Sequence, residues 1–374
     1  MRKSNYRGNS PPPLQRDMQQ VLYSVRDALK LKLPPNWTVS VRCLPSQSAA
    51  LMPLYDAPDA ALTIRSPDGN RGTVLIEVKR AVDPKLVPLI AAQLESYQKS
   101  SRANSTMVVA PFLSPRTREL LRNAQLSYAD DTGNLRLALE RPALYVETSG
   151  ANTDPSKTAN DRPLRSLKGP RTGRVIRALC DFKPPYGVEE LATRSHTSLG
   201  SVSRVLTLLD REALITRQPR GPVVDVKWAE LIARWIQDYS FLRSNTTRSF
   251  LDPRGLNALR ARLAGIELPY AITGSLAAAE ISPIAVPRLA TIYVDSVELA
   301  AQQLSLRPAD VGGNVILAEP FDAVVYERGW ERDGIKYAAA SQVAADSLTS
   351  PGRGPSEGEE LLRWMARHED EWRS

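Results

Sequence analysis

Cysteine and histidine are almost absent. The 374 residues hold two of each, Cys43 and Cys180, His196 and His368, all isolated from one another. This excludes a disulfide framework and a zinc site built from Cys and His ligands at their usual spacings. Long apolar runs are also missing. No stretch of about 18 apolar residues occurs, so no membrane-spanning helix is expected. The opening MRKSNYRGNSPPP lacks the apolar segment of a secretory signal. A cytoplasmic address follows by default.

What the chain does have is length and unevenly placed positive charge. Its length suffices for two or three domains, each with its own core. The net charge is +8, and residues 157–243 hold 16 Lys and Arg against 9 Asp and Glu, a net +7. A clustered positive surface attracts phosphate. A solvated basic linker would have the same composition.

That basic quarter has a readable order. Residues 171–182 suit a helix, ended by Lys183-Pro-Pro-Tyr-Gly187. A short helix over 188–194 and a turn over 195–198 follow. A third helix spans 199–212, with Val202, Val205, Leu206 and Leu209 at helical spacing. Strands near 214–215 and 223–226 flank a Pro219-Arg-Gly-Pro222 turn. Helix, helix, turn, helix, hairpin is the winged helix-turn-helix order. The outward face of the third helix is expected to carry Ser198, Ser201, Ser203, Arg204 and Arg211. These can donate to phosphates and base edges. Arg217 and Arg220 are placed on the wing, against the DNA backbone. The module is expected over 171–243, its last helix over 228–243.

Ahead of it, residues 14–148 read as an α/β domain with element order αβββαβαβ, after a Pro-rich basic leader over 1–13. Residues 149–170, rich in Gly, Pro, Ser and Asn, form the clearest linker. Within the α/β domain, Pro58-Asp59 precedes one strand and Glu77-Val78-Lys79 closes the next. Residues two apart in a strand face the same side, so Glu77 and Lys79 project together. Two carboxylates can hold Mg²⁺, and a lysine beside them can orient an attacking water. The pattern PD…ExK, with this element order, resembles the PD-(D/E)XK nuclease superfamily. Gln93 and Tyr97 resemble the QxxxY element of its RecB-like branch. The resemblance implies Asp59 and Glu77 as metal ligands, Lys79 as catalytic, and Gln93 and Tyr97 near the substrate backbone. Neither Asp17 nor Asp27 stands out as a further acid. A degenerate domain with a solvated polar strand end is the bland alternative.

Residues 244–374 form a last domain, opened by a linker-like stretch over 244–248. Strands are expected at 270–273, 290–294, 315–318 and 323–326, a turn at 331–335, and helices at 341–347 and 357–373. Tyr270-Ala-Ile-Thr-Gly-Ser-Leu-Ala277 followed by Ala290-Thr-Ile-Tyr-Val-Asp295 resembles the nucleotidyltransferase fold. Its second strand offers Asp295 alone, with Thr291 or Tyr293 where a partner carboxylate would be wanted. A single carboxylate makes a poor two-metal clamp, so no nucleotide-binding residues are assigned.

The winged helix together with YAITGSLAAAEISP, ATIYV and GRGPSEGEELLRWM resembles the AbiEi-type antitoxins of type IV toxin–antitoxin systems, over about residues 170–374. That resemblance implies a regulator binding inverted repeats in its own promoter, beside a cognate nucleotidyltransferase toxin. This chain departs from it by carrying a nuclease-like domain ahead of the winged helix. The expectation is an α/β and α+β multidomain protein: a restriction-endonuclease-like domain, a central winged helix and a nucleotidyltransferase-like domain. Its partners are double-stranded DNA, the toxin and, on a palindrome, a second copy of itself, with no membrane. The regulator needs no cofactor. The alternative is a Mg²⁺-dependent DNA nuclease targeted by the winged helix.

Overall fold

The computed structural model describes residues 13–44, 57–156, 166–218 and 221–374. The leader expected over 1–13 falls outside them except for Pro13. The fold is mixed α/β, and the chain divides into two units, Met1–Arg162 and Pro163–Ser374.

In the first unit, strands of period-two or continuous apolar pattern line up in chain order. Its elements are α1 (Pro13–Lys32), β1 (Thr38–Cys43), β2 (Ala60–Arg65), β3 (Arg71–Val78), α2 (Val87–Ser100), β4 (Ser105–Ala110), α3 (Pro115–Asn123), β5 (Ser127–Asp130), β6 (Leu135–Leu139) and β7 (Leu144–Thr148). One seven-stranded sheet runs β1-β2-β3-β4-β5-β6-β7. β3, β4 and β5 are parallel and the other neighbours antiparallel. β4, Ser-Thr-Met-Val-Val-Ala, is covered on both faces, as its continuous apolar run requires.

Alternation in β3 sorts its side chains to two cores. Val74, Ile76 and Val78 pack with Leu22, Val25 and Leu29 of α1. Leu75 packs with Ile90, Leu94 and Tyr97 of α2. Glu77, two residues past Leu75, therefore faces α2. The polar stretch expected to be a linker begins as part of this unit. Gly150 N–H donates to Asn134 at 2.8 Å, and Ala151 N–H donates to Thr132 Oγ1 at 3.2 Å. A Cβ on Gly150 would lie 2.1 Å from the Thr132 carbonyl oxygen.

The second unit opens with α4 (Pro170–Asp181), α5 (Val188–Arg194), α6 (Leu199–Arg211), β8 (Ile215–Arg217), β9 (Val223–Val226) and α7 (Trp228–Trp235). It continues through α8 (Phe241–Ser244), β10 (Thr246–Leu251), α9 (Gly255–Leu263), β11 (Tyr270–Thr273), α10 (Gly274–Ile281), β12 (Ala290–Val294), α11 (Val297–Gln303), β13 (Arg307–Pro308) and β14 (Val315–Glu319). It closes with β15 (Trp330–Arg332), β16 (Ile335–Tyr337), α12 (Ala340–Leu348), α13 (Gly354–Arg367) and α14 (Glu369–Trp372). β8 and β9 form a two-stranded hairpin, and a second seven-stranded sheet runs β13-β10-β14-β12-β11-β16-β15. One continuous apolar core extends from Leu167 and Val175 to Leu361 and Met365. Helices α4 to α7 and the sheet that follows them thus share an interior.

Four local expectations need correction. Residues 323–326 form a short 3₁₀ turn rather than a strand, because the Asp322 carboxylate caps the Val324 N–H at 2.9 Å. Residues 244–248 run into β10, which pairs with both β13 and β14. The helix expected over 228–243 stops at Trp235 and resumes only as α8, letting Tyr239 turn into the interior. The helix expected over 357–373 starts at Gly354 and breaks at His368.

Candidate functional site

The end of β3 collects the residues read from the PD…ExK pattern. Val78 N–H donates to Asp59 Oδ2 at 2.7 Å, and Asp59 N–H donates to the Ile76 carbonyl at 2.9 Å. Asp59 is thereby pinned against the strand that carries Glu77. Glu77 is buried at 5% exposure, and α2 brings two side chains to it. Tyr97 Oη donates to Glu77 Oε2 at 3.0 Å, and Gln93 Nε2 donates to Glu77 Oε1 at 3.1 Å. Gln93 and Tyr97 lie 2.6 Å apart, one helical turn from each other. Lys79 Nζ sits 2.6 Å from Glu77 Oε1 and is half-buried.

All five residues therefore meet at one strand end. Gln93 and Tyr97 reach Glu77 itself, which orients its carboxylate. Burial, and then the Glu77 charge, hold the Tyr97 hydroxyl far above the usual phenol range. It stays a neutral donor, as a buried carboxylate requires. Asp59 adds to the same upward shift electrostatically, as the last of its causes.

Two carboxylates suit Mg²⁺, which commonly takes one or two from the protein and completes its shell with water and phosphate oxygens. Among the described residues no group of three or more His, Cys, Asp and Glu is placed to hold a metal. Asp59 and Glu77 would be the protein's ligands, with Lys79 beside them.

The second candidate surface is α6. Ser198 caps it, its Oγ accepting from Ser201 N–H at 3.3 Å. Ser203 and Arg204 are exposed, together with Leu199, Gly200 and Thr207. Ser201, expected on this outward face, is buried at 6% exposure, with its hydroxyl 3.0 Å from that of Ser198. The cap geometry turns it inward, so Ser201 is removed from the contact set. Arg211 and Arg217 are half-buried, and Arg220 lies outside the described residues.

The charge excess of 157–243 is not all free to attract an anionic partner. Arg177 pairs with Asp181, Arg234 with Glu212 and Asp238, Arg174 with Asp322, Lys183 with Asp370, and Arg194 with Glu190. Some of these pairs lie within one helix and others tie one element to another, and all of them offer less to a phosphate.

A third cluster lies in the second unit, where the nucleotidyltransferase-like strand would need acids. Thr291 and Tyr293 of β12 are buried. Asp346 on α12 is fully buried and accepts from Tyr239 Oη at 2.6 Å, Thr273 Oγ1 at 2.6 Å, Tyr293 Oη at 2.8 Å and Gln342 Nε2 at 2.9 Å. Gln342 in turn accepts from buried Arg177 of α4 at 3.1 Å. The hydroxyl of Ser275, in the Gly-Ser turn, donates to Glu357. A Cβ at Gly274 would lie 3.2 Å from Thr291 Oγ1. These polar groups are turned to internal partners. Asp346 shows no signal in the sequence, because three of its four donors come from distant stretches, the loop after α7, β11 and β12, and only Gln342 lies on its own helix.

Comparison of the sequence with protein-family models and with curated proteins finds no match. No helix among the described residues is long and apolar enough to cross a membrane.

Proposed function

We propose that the chain is a DNA-binding transcriptional regulator of the antitoxin type, addressed to its operator by the winged helix. The exposed face of α6 carries this reading. A helix of about 10–12 Å diameter fits the roughly 12 Å major groove of B-DNA. Ser203 and Arg204 stand on that face in the N-terminal half of the helix, the part with which recognition helices meet base edges. Arg217 lies on β8, at the hairpin that would act as the wing, where it suits the phosphate backbone. The regulator needs no cofactor and would work in the cytoplasm. Two copies would read an inverted repeat. The AbiEi resemblance adds a cognate nucleotidyltransferase toxin as protein partner. Selection from random duplex DNA tests the core of the proposal. One enriched motif is expected, and Arg204→Ala should lose preference within it. A wild-type protein that enriches no motif would remove this reading.

The convergence of Asp59, Glu77, Lys79, Gln93 and Tyr97 favours a second reading, a Mg²⁺-dependent nuclease of the PD-(D/E)XK type. A bound metal would polarise the scissile phosphoryl group and acidify water. Lys79 would orient that water, and Gln93 and Tyr97 would hold Glu77 in place. Supercoiled plasmid should be nicked in Mg²⁺ or Mn²⁺ by wild type but not by Glu77→Ala or Lys79→Ala. Nicking that survives both changes belongs to a contaminant.

A further inference from the structure

The α6 face includes a residue that a phosphate-binding surface would not need. Leu199, the first residue of the helix, is 50% exposed. Around it the surface is open. Gly200 has nothing within 4 Å of where a Cβ would stand. Ser203 is one turn on, and Arg204 follows it. Thr207 shares the face, but its hydroxyl donates back to the Ser203 carbonyl at 2.8 Å, which leaves its methyl outward. The face thus mixes two donors, Ser203 and Arg204, with apolar groups at its two ends.

Base edges in the major groove are polar with one exception, the C5-methyl of thymine. The first turn of a recognition helix penetrates furthest toward those edges. An exposed leucine there has one apolar partner of the right kind. We propose that Leu199 is a specificity-determining residue, reading thymine through its C5-methyl, so that each operator half-site carries a thymine set beside the base read by Arg204. This inference rests on the regulator reading of α6.

The test uses full-length protein and the operator recovered by selection. Each thymine is replaced singly by deoxyuridine, which removes only the methyl, and affinity is measured at fixed salt. Wild type should weaken about three- to fivefold at one or two positions per half-site, the value expected for one apolar carbon removed from water. Leu199→Ala should bind thymine and uracil forms equally at those positions. On the thymine form it should be weaker than wild type by at least the same factor. Leu199→Met should recover part of the discrimination. Leu199 is half exposed, so both variants should fold, and circular dichroism checks this. A wild type that selects an operator yet ignores every methyl overturns this inference alone. So does an alanine variant that keeps the uracil sensitivity. A wild type that selects no operator overturns the regulator reading, and this inference with it.

Discussion

At the scale of single residues, Glu77 carries the highest electrostatic stakes in the first unit. It is a buried carboxylate with a lysine, a glutamine and a tyrosine on its two oxygens. Tyr97→Phe removes one donor without changing shape and leaves Glu77 Oε2 without its tyrosine. The expected loss is about 1–2 kcal/mol, read by urea unfolding followed with a probe in the first unit. A loss near zero would mean that water replaces the hydroxyl and that the site is wetter than its burial implies. Metal binding has its own readout. On the nuclease reading, Mg²⁺ or Mn²⁺ should raise the melting temperature of wild type by mass action and leave Glu77→Gln unmoved. Equal shifts in both proteins would place any metal elsewhere. Glu77 with Lys79, and Gln93 with Tyr97, were readable as pairs because strand and helix periods bring such residues onto one side, whereas Asp59 joins them only through the pairing of β2 with β3. The direction in which Gln93 and Tyr97 point was not readable, since it depends on β3 turning Glu77 toward α2. Ser201 misled for a related reason. A serine at the third position after an N-cap can face outward or join the cap, and only the packed turn decides.

At the scale of elements, α6 should show two separable effects. Ser198→Ala removes the cap and should cost about 1 kcal/mol of stability in the second unit. Arg204→Ala should leave stability almost unchanged and relax sequence preference at one operator position. Arg217→Ala, on the wing, should weaken binding about equally on all sequences and reduce the salt slope by about one. Titrations against specific and random duplexes at several salt concentrations distinguish these outcomes. If Arg204→Ala and Arg217→Ala behaved alike, the division between helix and wing would be wrong. The helices and hairpin of this module were legible from period and turn chemistry. β10 was not, because Thr-Thr-Arg-Ser-Phe-Leu has no clean alternation and buries only one of its six residues, Phe250. Neighbours on both sides make it a strand. The break after Trp235 was hidden for a similar reason. Trp228–Arg243 keeps an apolar stripe throughout, but a distant carboxylate draws Tyr239 out of the helix.

At the scale of the whole second unit, the Asp346 cluster joins α4 and the segment after α7 to the sheet behind them. Arg177 reaches it from α4 through Gln342, Tyr239 follows α7, and Thr273 and Tyr293 come from β11 and β12. Sequence order suggests separate modules, whereas this network and the shared apolar core run through one compact unit. The Asp346 carboxyl is shifted upward, burial being the largest cause and outweighing its four hydrogen bonds. The direction sets a pH dependence. Below the unfolded value of about 3.9, both states hold the proton. Above it the unfolded chain releases the proton while the native state still holds it, so this group's contribution to stability falls as pH rises toward the native value. Asp346→Asn cannot titrate. The unfolding free energy of wild type minus that of Asp346→Asn should therefore decrease as pH rises above about 4, the unfolded carboxyl value. Denaturant titrations of both proteins across that range measure it. A difference that grew with pH would show that the donors from Tyr239, Tyr293, Thr273 and Gln342 outweigh burial, and that the joint is held by an ionised carboxylate.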